Sequence, residues 1–114
     1  MKKHTREDCL KTRRAVQDTL ETISGKWKLL ILHALNIETL RFKKLCQEID
    51  ITPRMLSKEL KDLEMNKLIQ RIVYDTKPVT VEYSITDYGK TLGKVILEMK
   101  NWGLTHRKKI MQTN

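Results

Sequence analysis

The stretch Asp50-Ile51-Thr52-Pro53-Arg54-Met55-Leu56-Ser57-Lys58-Glu59-Leu60-Lys61-Asp62-Leu63-Glu64-Met65 decides the architecture. A threonine at position 52 can accept from the free backbone N–H groups of a first helical turn. Pro53 loses nothing at the first helical position, where its missing donor would be unpaired anyway. From Pro53 to about Met65, Leu56, Leu60 and Leu63 recur at i, i+4 and i+7, with Met55 flanking them, so they share one face. At about 100° per residue, Arg54, Lys58 and Lys61 gather on the opposite face. The helix has an apolar back and a cationic front.

Upstream, Phe42, Leu45, Cys46 and Ile49 follow helical spacing for two turns, and the pattern breaks at Asp50-Ile51-Thr52. Two short helices separated by a tight turn are expected. Further upstream, residues 27–35 are apolar almost all round, as a central core helix would be, between the punctuation of Ser24-Gly25 and a turn around residues 36–39. Val16, Leu20 and Ile23 mark one stripe of a first helix over roughly residues 10–23, whose other faces carry Lys11, Arg13, Arg14, Asp18 and Glu21.

Downstream, residues 68–74 and 79–85 are rich in β-branched and aromatic residues, and the second run alternates with period 2. Asp75-Thr76-Lys77-Pro78 between them supplies turn residues, which predicts a β-hairpin with a cationic tip. Thr86 is placed to cap the last helix, whose apolar stripe is Leu92, Val95, Ile96, Met99 and Trp102. A basic tail over residues 104–114 includes Arg107, Lys108 and Lys109. The fold class is mainly α with one β-hairpin (α+β), in the order of a winged helix-turn-helix. Residues 1–114 read as one domain, with residues 1–9 expected to be flexible.

Composition agrees with this reading. The chain has 23 basic and 14 acidic residues, a net charge of +9. Leu, Ile, Val and Phe make up 31 of 114 residues, above the level at which high charge would imply disorder. The longest aliphatic run, residues 29–32, falls far short of the roughly 18 apolar residues that a membrane span needs. The charged N-terminus has no apolar segment behind it, so no export signal is visible and cytoplasmic residence is expected. Cys9 and Cys46 lack the close pairing of a zinc or thioredoxin-like motif. His4, His33 and His106 are too scattered to suggest a metal site, so no metal or cofactor is expected. Glycines 25, 89, 93 and 103 are isolated, with no phosphate loop or nucleophile elbow, which argues against an enzyme.

The charge excess points to a phosphate backbone or an anionic lipid surface as partner, and charge alone does not choose between them. An α-helix fits the major groove of duplex DNA, and residues near the start of the second helix of such a unit reach base edges. Thr52, Arg54, Ser57, Lys58 and Lys61 are the groups so presented. Arg41, Lys43 and Lys44 at the start of the short helix can hold phosphates on one flank, and Arg71 and Lys77 of the hairpin on the other. Trp27 and Trp102 lie on apolar stripes and are expected to pack in the core or at a dimer contact. Cys46 falls on an apolar side as a small hydrophobe, whereas Cys9, beside Arg6 and Lys11, is the candidate reactive thiol.

Together these residues resemble the HxlR-type regulators, bacterial winged-helix transcription factors related to the MarR group. The motifs are Ile23-Ser24-Gly25-Lys26-Trp27 leading into Leu30-Ile31-Leu32, then Leu40-Arg41-Phe42-Lys43-Lys44-Leu45, then residues 56–64, residues 78–86, and Trp102-Gly103. The resemblance implies a homodimer built from the N-terminal helix and the long C-terminal helix. It also implies two recognition helices on a roughly palindromic operator, and sequence-specific binding of double-stranded DNA. Many such proteins carry a Cys-Pro pair ahead of the Gly-Lys-Trp motif. Here Arg14 and Ala15 stand there and Cys9 lies further upstream, so the family's redox sensing does not transfer to it. The family often has glycine where this chain has Asp50, and another before Arg41-Phe42 where this chain has Glu38-Thr39. The resemblance names no effector. A winged-helix protein-interaction module without specific DNA binding is the alternative, and the cationic front of the Thr52 helix argues against it. A peripheral membrane binder acting through the basic tail is a further rival, but its apolar stripe is needed for dimer packing.

Overall fold

A computed structural model describes residues 5–112. His4 lies outside them, as do the first four residues of the segment expected to be flexible and the last two of the basic tail. Helix α1 (Arg6–Ile23) starts four residues earlier than the apolar stripe alone predicts. Thr5 and Asp8 form a reciprocal cap: the Thr5 hydroxyl accepts from the Asp8 N–H at 3.0 Å, and the Asp8 carboxylate accepts from the Thr5 N–H at 3.3 Å. Residues 6–9 are therefore helical.

Gly25, at φ 88°, turns the chain into α2 (Lys28–Ile37). Ile31, Leu32 and Leu35 of α2 are buried, but Leu30 and Ile37 are exposed, so the helix has an open side. A two-residue strand, β1 (Leu40–Arg41), precedes α3 (Phe42–Ile49). This strand places Arg41 on the sheet as the residue preceding α3, where sequence pattern put it in the short helix. Asp50 ends α3 in the left-handed conformation at φ 55° and ψ 51°, a geometry that aspartate tolerates better than most residues. The turn is thus closed without glycine.

Helix α4 (Pro53–Met65) begins as its sequence dictates, with the Thr52 hydroxyl accepting from the Met55 N–H at 3.3 Å. Its far end is closed by Lys67 at φ 63°, which lets the Leu68 N–H reach the Leu63 carbonyl at 3.0 Å. Strands β2 (Ile69–Tyr74) and β3 (Thr80–Ile85) form the hairpin, and β1 joins the other edge of β3 to give an antiparallel sheet in the order β1-β3-β2. Ile69 pairs with Ile85 and Tyr74 with Thr80. Leu40 pairs with Tyr83 and Arg41 with Glu82.

Thr86 caps the short α5 (Asp87–Lys90) and not the long last helix. Its hydroxyl accepts from the Gly89 N–H at 2.9 Å and lies 2.7 and 3.0 Å from the Lys67 and Leu68 carbonyls. Gly89 packs so close to the strand that a Cβ there would sit 2.1 Å from the Leu68 carbonyl oxygen. Helix α6 (Gly93–Met111) follows without a side-chain cap and takes in most of the expected basic tail.

The core joins α2, α3, α4 and the sheet through Ile31, Leu32, Leu45, Leu56, Leu60, Leu63, Leu68 and Tyr83. The outer helices behave differently. Only Ile23 of α1 is buried, and no residue of α6 is. Of the predicted α6 stripe, Leu92 and Ile96 pack against the core, whereas Val95, Met99 and Trp102 are exposed, Trp102 at 67%. Its ring stacks on His106 with centroids 4.7 Å apart. Trp27 instead packs on the core, with the Lys26 ammonium 4.6 Å from its ring centroid. No helix among the described residues is long and apolar enough to cross a membrane.

Candidate nucleic-acid interface

The interface starts from the leucines. Leu56, Leu60 and Leu63 pin the back of α4 to the core, which forces Arg54, Ser57, Lys58 and Lys61 outward, and all four are exposed. Among the described residues, no carboxylate lies within ion-pair distance of Arg54, Lys58 or Lys61. Their charge is free to act on a partner.

Two flanks extend this front. Arg41, Lys43 and Lys44 are exposed at the entry to α3, and Lys44 leans on Glu48 at 3.5 Å, an exposed pair worth little in water. Arg71 on β2 and Lys77 at the hairpin tip are exposed as well. Helix α4 packs against β2, so the hairpin is anchored to the same body that carries α4. Next to its tip, the Tyr74 hydroxyl donates to Glu82, and that bond with the nearby carboxylate charge holds the phenol pKa above its ordinary value.

The sequence model of the HxlR-like helix-turn-helix family matches residues 22–111, a span that takes in α2 to α6. The chain belongs to that family. The HTH-type transcriptional regulator YdeP of Bacillus subtilis is 44% identical over 98 residues, covering 83% of this chain and 75% of YdeP. YybR of the same organism is 40% identical over 95 residues, covering 81% of this chain and 74% of its own. Among solved structures, the HTH-type regulator ytcD superposes with a TM-score of 0.79 at 38% identity, covering 82% of this chain and 96% of that one. The redox regulator HypR in its reduced form gives 0.79 at 37% identity, covering 85% of this chain and 97% of that one. The protein is accordingly a winged-helix transcriptional regulator of the HxlR type.

Within this HxlR fold, Cys9 is exposed on α1, beside Asp8, Thr12 and Arg13 in a shallow groove. Cys46 is half-buried against the core, and burial pushes its thiol pKa up. Sequence patterning missed one feature next to the cationic front. Lys28, counted within an apolar segment, is buried and holds two α4 carboxylates: Glu59 Oε2 at 2.8 Å and Asp62 Oδ2 at 3.3 Å. Burial alone would lower the Lys28 pKa, but the hydrogen bonds and charges of Glu59 and Asp62 outweigh it and leave the pKa raised.

Proposed function

We propose that this HxlR-type regulator binds double-stranded DNA sequence-specifically as a homodimer, on a roughly palindromic operator. One observation carries the DNA reading: the capped start of α4 presents exposed Arg54, Ser57, Lys58 and Lys61, the three cations without an ion-pair partner among the described residues, opposite three buried leucines. In the major groove, Arg54 and Lys58 near the helix start contact base edges or adjacent phosphates, with Ser57 between them. Thr52 holds the helix start in shape. Lys61 follows one turn on. Arg41, Lys43 and Lys44 hold phosphates on one flank, and Arg71 and Lys77 on the wing hold them on the other.

Surface area supports the dimer. A folded monomer of 13.5 kDa exposes about 6,500 Å², whereas this chain exposes 9582 Å². Its radius of gyration is 17.6 Å, against about 13 Å for a compact domain of this length. The excess comes with two long helices, α1 and α6, that present Leu10, Val16, Leu20, Val95, Met99, Trp102, Leu104 and Ile110 to solvent. Burying these apolar faces between two copies would remove that excess, and obligate dimer interfaces are characteristically hydrophobic. A two-fold axis then sets the two α4 helices on half-sites about one helical turn apart.

Two measurements test this reading. Sedimentation at micromolar concentration is expected to give the dimer mass, and selection of bound genomic fragments a motif with two-fold symmetry. A monomer at that concentration contradicts the dimer, and an enriched pool without any common motif contradicts sequence-specific binding.

A further inference from the structure

Leu56, Leu60 and Leu63 set which side of α4 faces the core, but apolar burial is non-directional and specifies the finer roll of the helix only loosely. Roll matters for reading bases. A 20° rotation displaces groups about 6 Å from a helix axis by about 2 Å, which exceeds the roughly 0.5 Å spread of good hydrogen-bond distances. The Lys28 ammonium supplies direction. It reaches across from α2 to Glu59 and Asp62, one turn apart on α4, at 2.8 and 3.3 Å, with the Lys28 and Glu59 side chains each 9% exposed. A buried ion pair of this kind is weak evidence for stability, and in some proteins buried polar groups instead specify one geometry.

The same contact shapes the local field. Helix α4 carries Glu59, Asp62 and Glu64 as well as Arg54, Lys58 and Lys61, so on its own it presents no net charge to a phosphate backbone. Asp62 sits only about 40° round the helix from Lys58 and is the more exposed of the two tethered carboxylates, at 42%. Lys28 offsets its charge and that of Glu59 from behind.

We infer that Lys28 is a positioning residue for DNA recognition, fixing the roll of α4 and offsetting Glu59 and Asp62 without itself contacting DNA. The inference rests on the DNA-binding reading above. It separates positioning from folding, because replacing a buried pair by apolar residues of similar volume is often neutral or stabilising, whereas breaking one partner is not.

The test uses the full chain with Lys28 and Glu59 replaced together by methionine and leucine (K28M/E59L), a change that leaves net charge unaltered. Thermal melting, sedimentation, and titrations with a selected operator and an unrelated duplex of equal length are compared with wild type. The double variant is expected to melt at or above the wild-type temperature and to keep its dimer mass. It is expected to bind the unrelated duplex within about threefold of wild type but the operator at least about tenfold more weakly. Wild-type operator affinity in this variant overturns the inference. Should it not fold, Glu59→Gln decides: a folded protein with about tenfold weaker operator binding supports positioning, and unchanged affinity refutes it. A wild-type chain that prefers no duplex over any other instead sinks the DNA-binding reading, and this inference falls with it.

Discussion

Alanine at position 89 tests the joint between the wing and the C-terminal helices. An added Cβ would lie 2.1 Å from the Leu68 carbonyl oxygen and 2.7 Å from Ile85 Cγ1, so α5 and the strand must part by more than about 1 Å to reach ordinary contact distances. The obstructing oxygen is backbone and already engaged: it accepts from the Thr86 N–H at 3.0 Å and lies 3.0 Å from the Thr86 hydroxyl. Loosening two such bonds costs about 2 kcal/mol, and overpacking adds about 2 more. The better helix propensity of alanine returns about 1 kcal/mol. The net, about 3 kcal/mol, corresponds to a melting temperature lower by about 12 °C for a chain of this length. Circular dichroism melts of Gly89→Ala and wild type measure it, with Gly93→Ala as control because a Cβ there meets nothing within 4 Å. The control is expected to stay within about 1 kcal/mol of wild type. A Gly89→Ala protein melting within about 3 °C of wild type refutes the close approach.

Three further outcomes are expected. Thr52→Ala removes the α4 cap and costs about 1 kcal/mol in urea denaturation, while Thr52→Asn retains most of it; equal losses in both show that the cap is not the cause. Because the folded-state pKa of Lys28 is raised, its contribution to stability is fully present below the unfolded lysine pKa of about 10.4 and is lost as pH rises through the folded value. Wild type should therefore lose more stability than K28M/E59L between mildly and strongly alkaline buffer, and parallel profiles contradict the assignment. Iodoacetamide at neutral pH should label exposed Cys9 roughly tenfold faster than Cys46, whose thiol is half-buried with a raised pKa; the reverse order, read by mass spectrometry, contradicts the packing.

Where local signals were strong, the sequence was sufficient. Thr52-Pro53 and the leucine spacing located α4 to the residue, and the β-branched runs located the hairpin to within one residue at each strand. Thr5 and Asp8 carried an equally clear start signal for α1, but it lay ahead of the apolar stripe that defined the helix. Strand β1 was illegible because two residues have no period, and its pairing with β3 spans more than forty positions. The break between α5 and α6 was hidden because Thr86 is a sound cap for either a short or a long helix. Cationic site residues were legible by type and by helix face. Lys28 was not, because in a linear reading a lysine within an apolar run counts as a solvated exception, and its partners lie more than thirty residues away.

Which face of α4 meets DNA is tested most directly by a titration of Arg54→Ala and Lys58→Ala against a selected operator. Both side chains are exposed, so melting temperatures should not change. Each variant should lose about 1–3 kcal/mol of operator affinity, as removal of a base contact does, with relaxed sequence preference. Wild-type affinity in both folded variants would contradict the claim that this face reads the duplex.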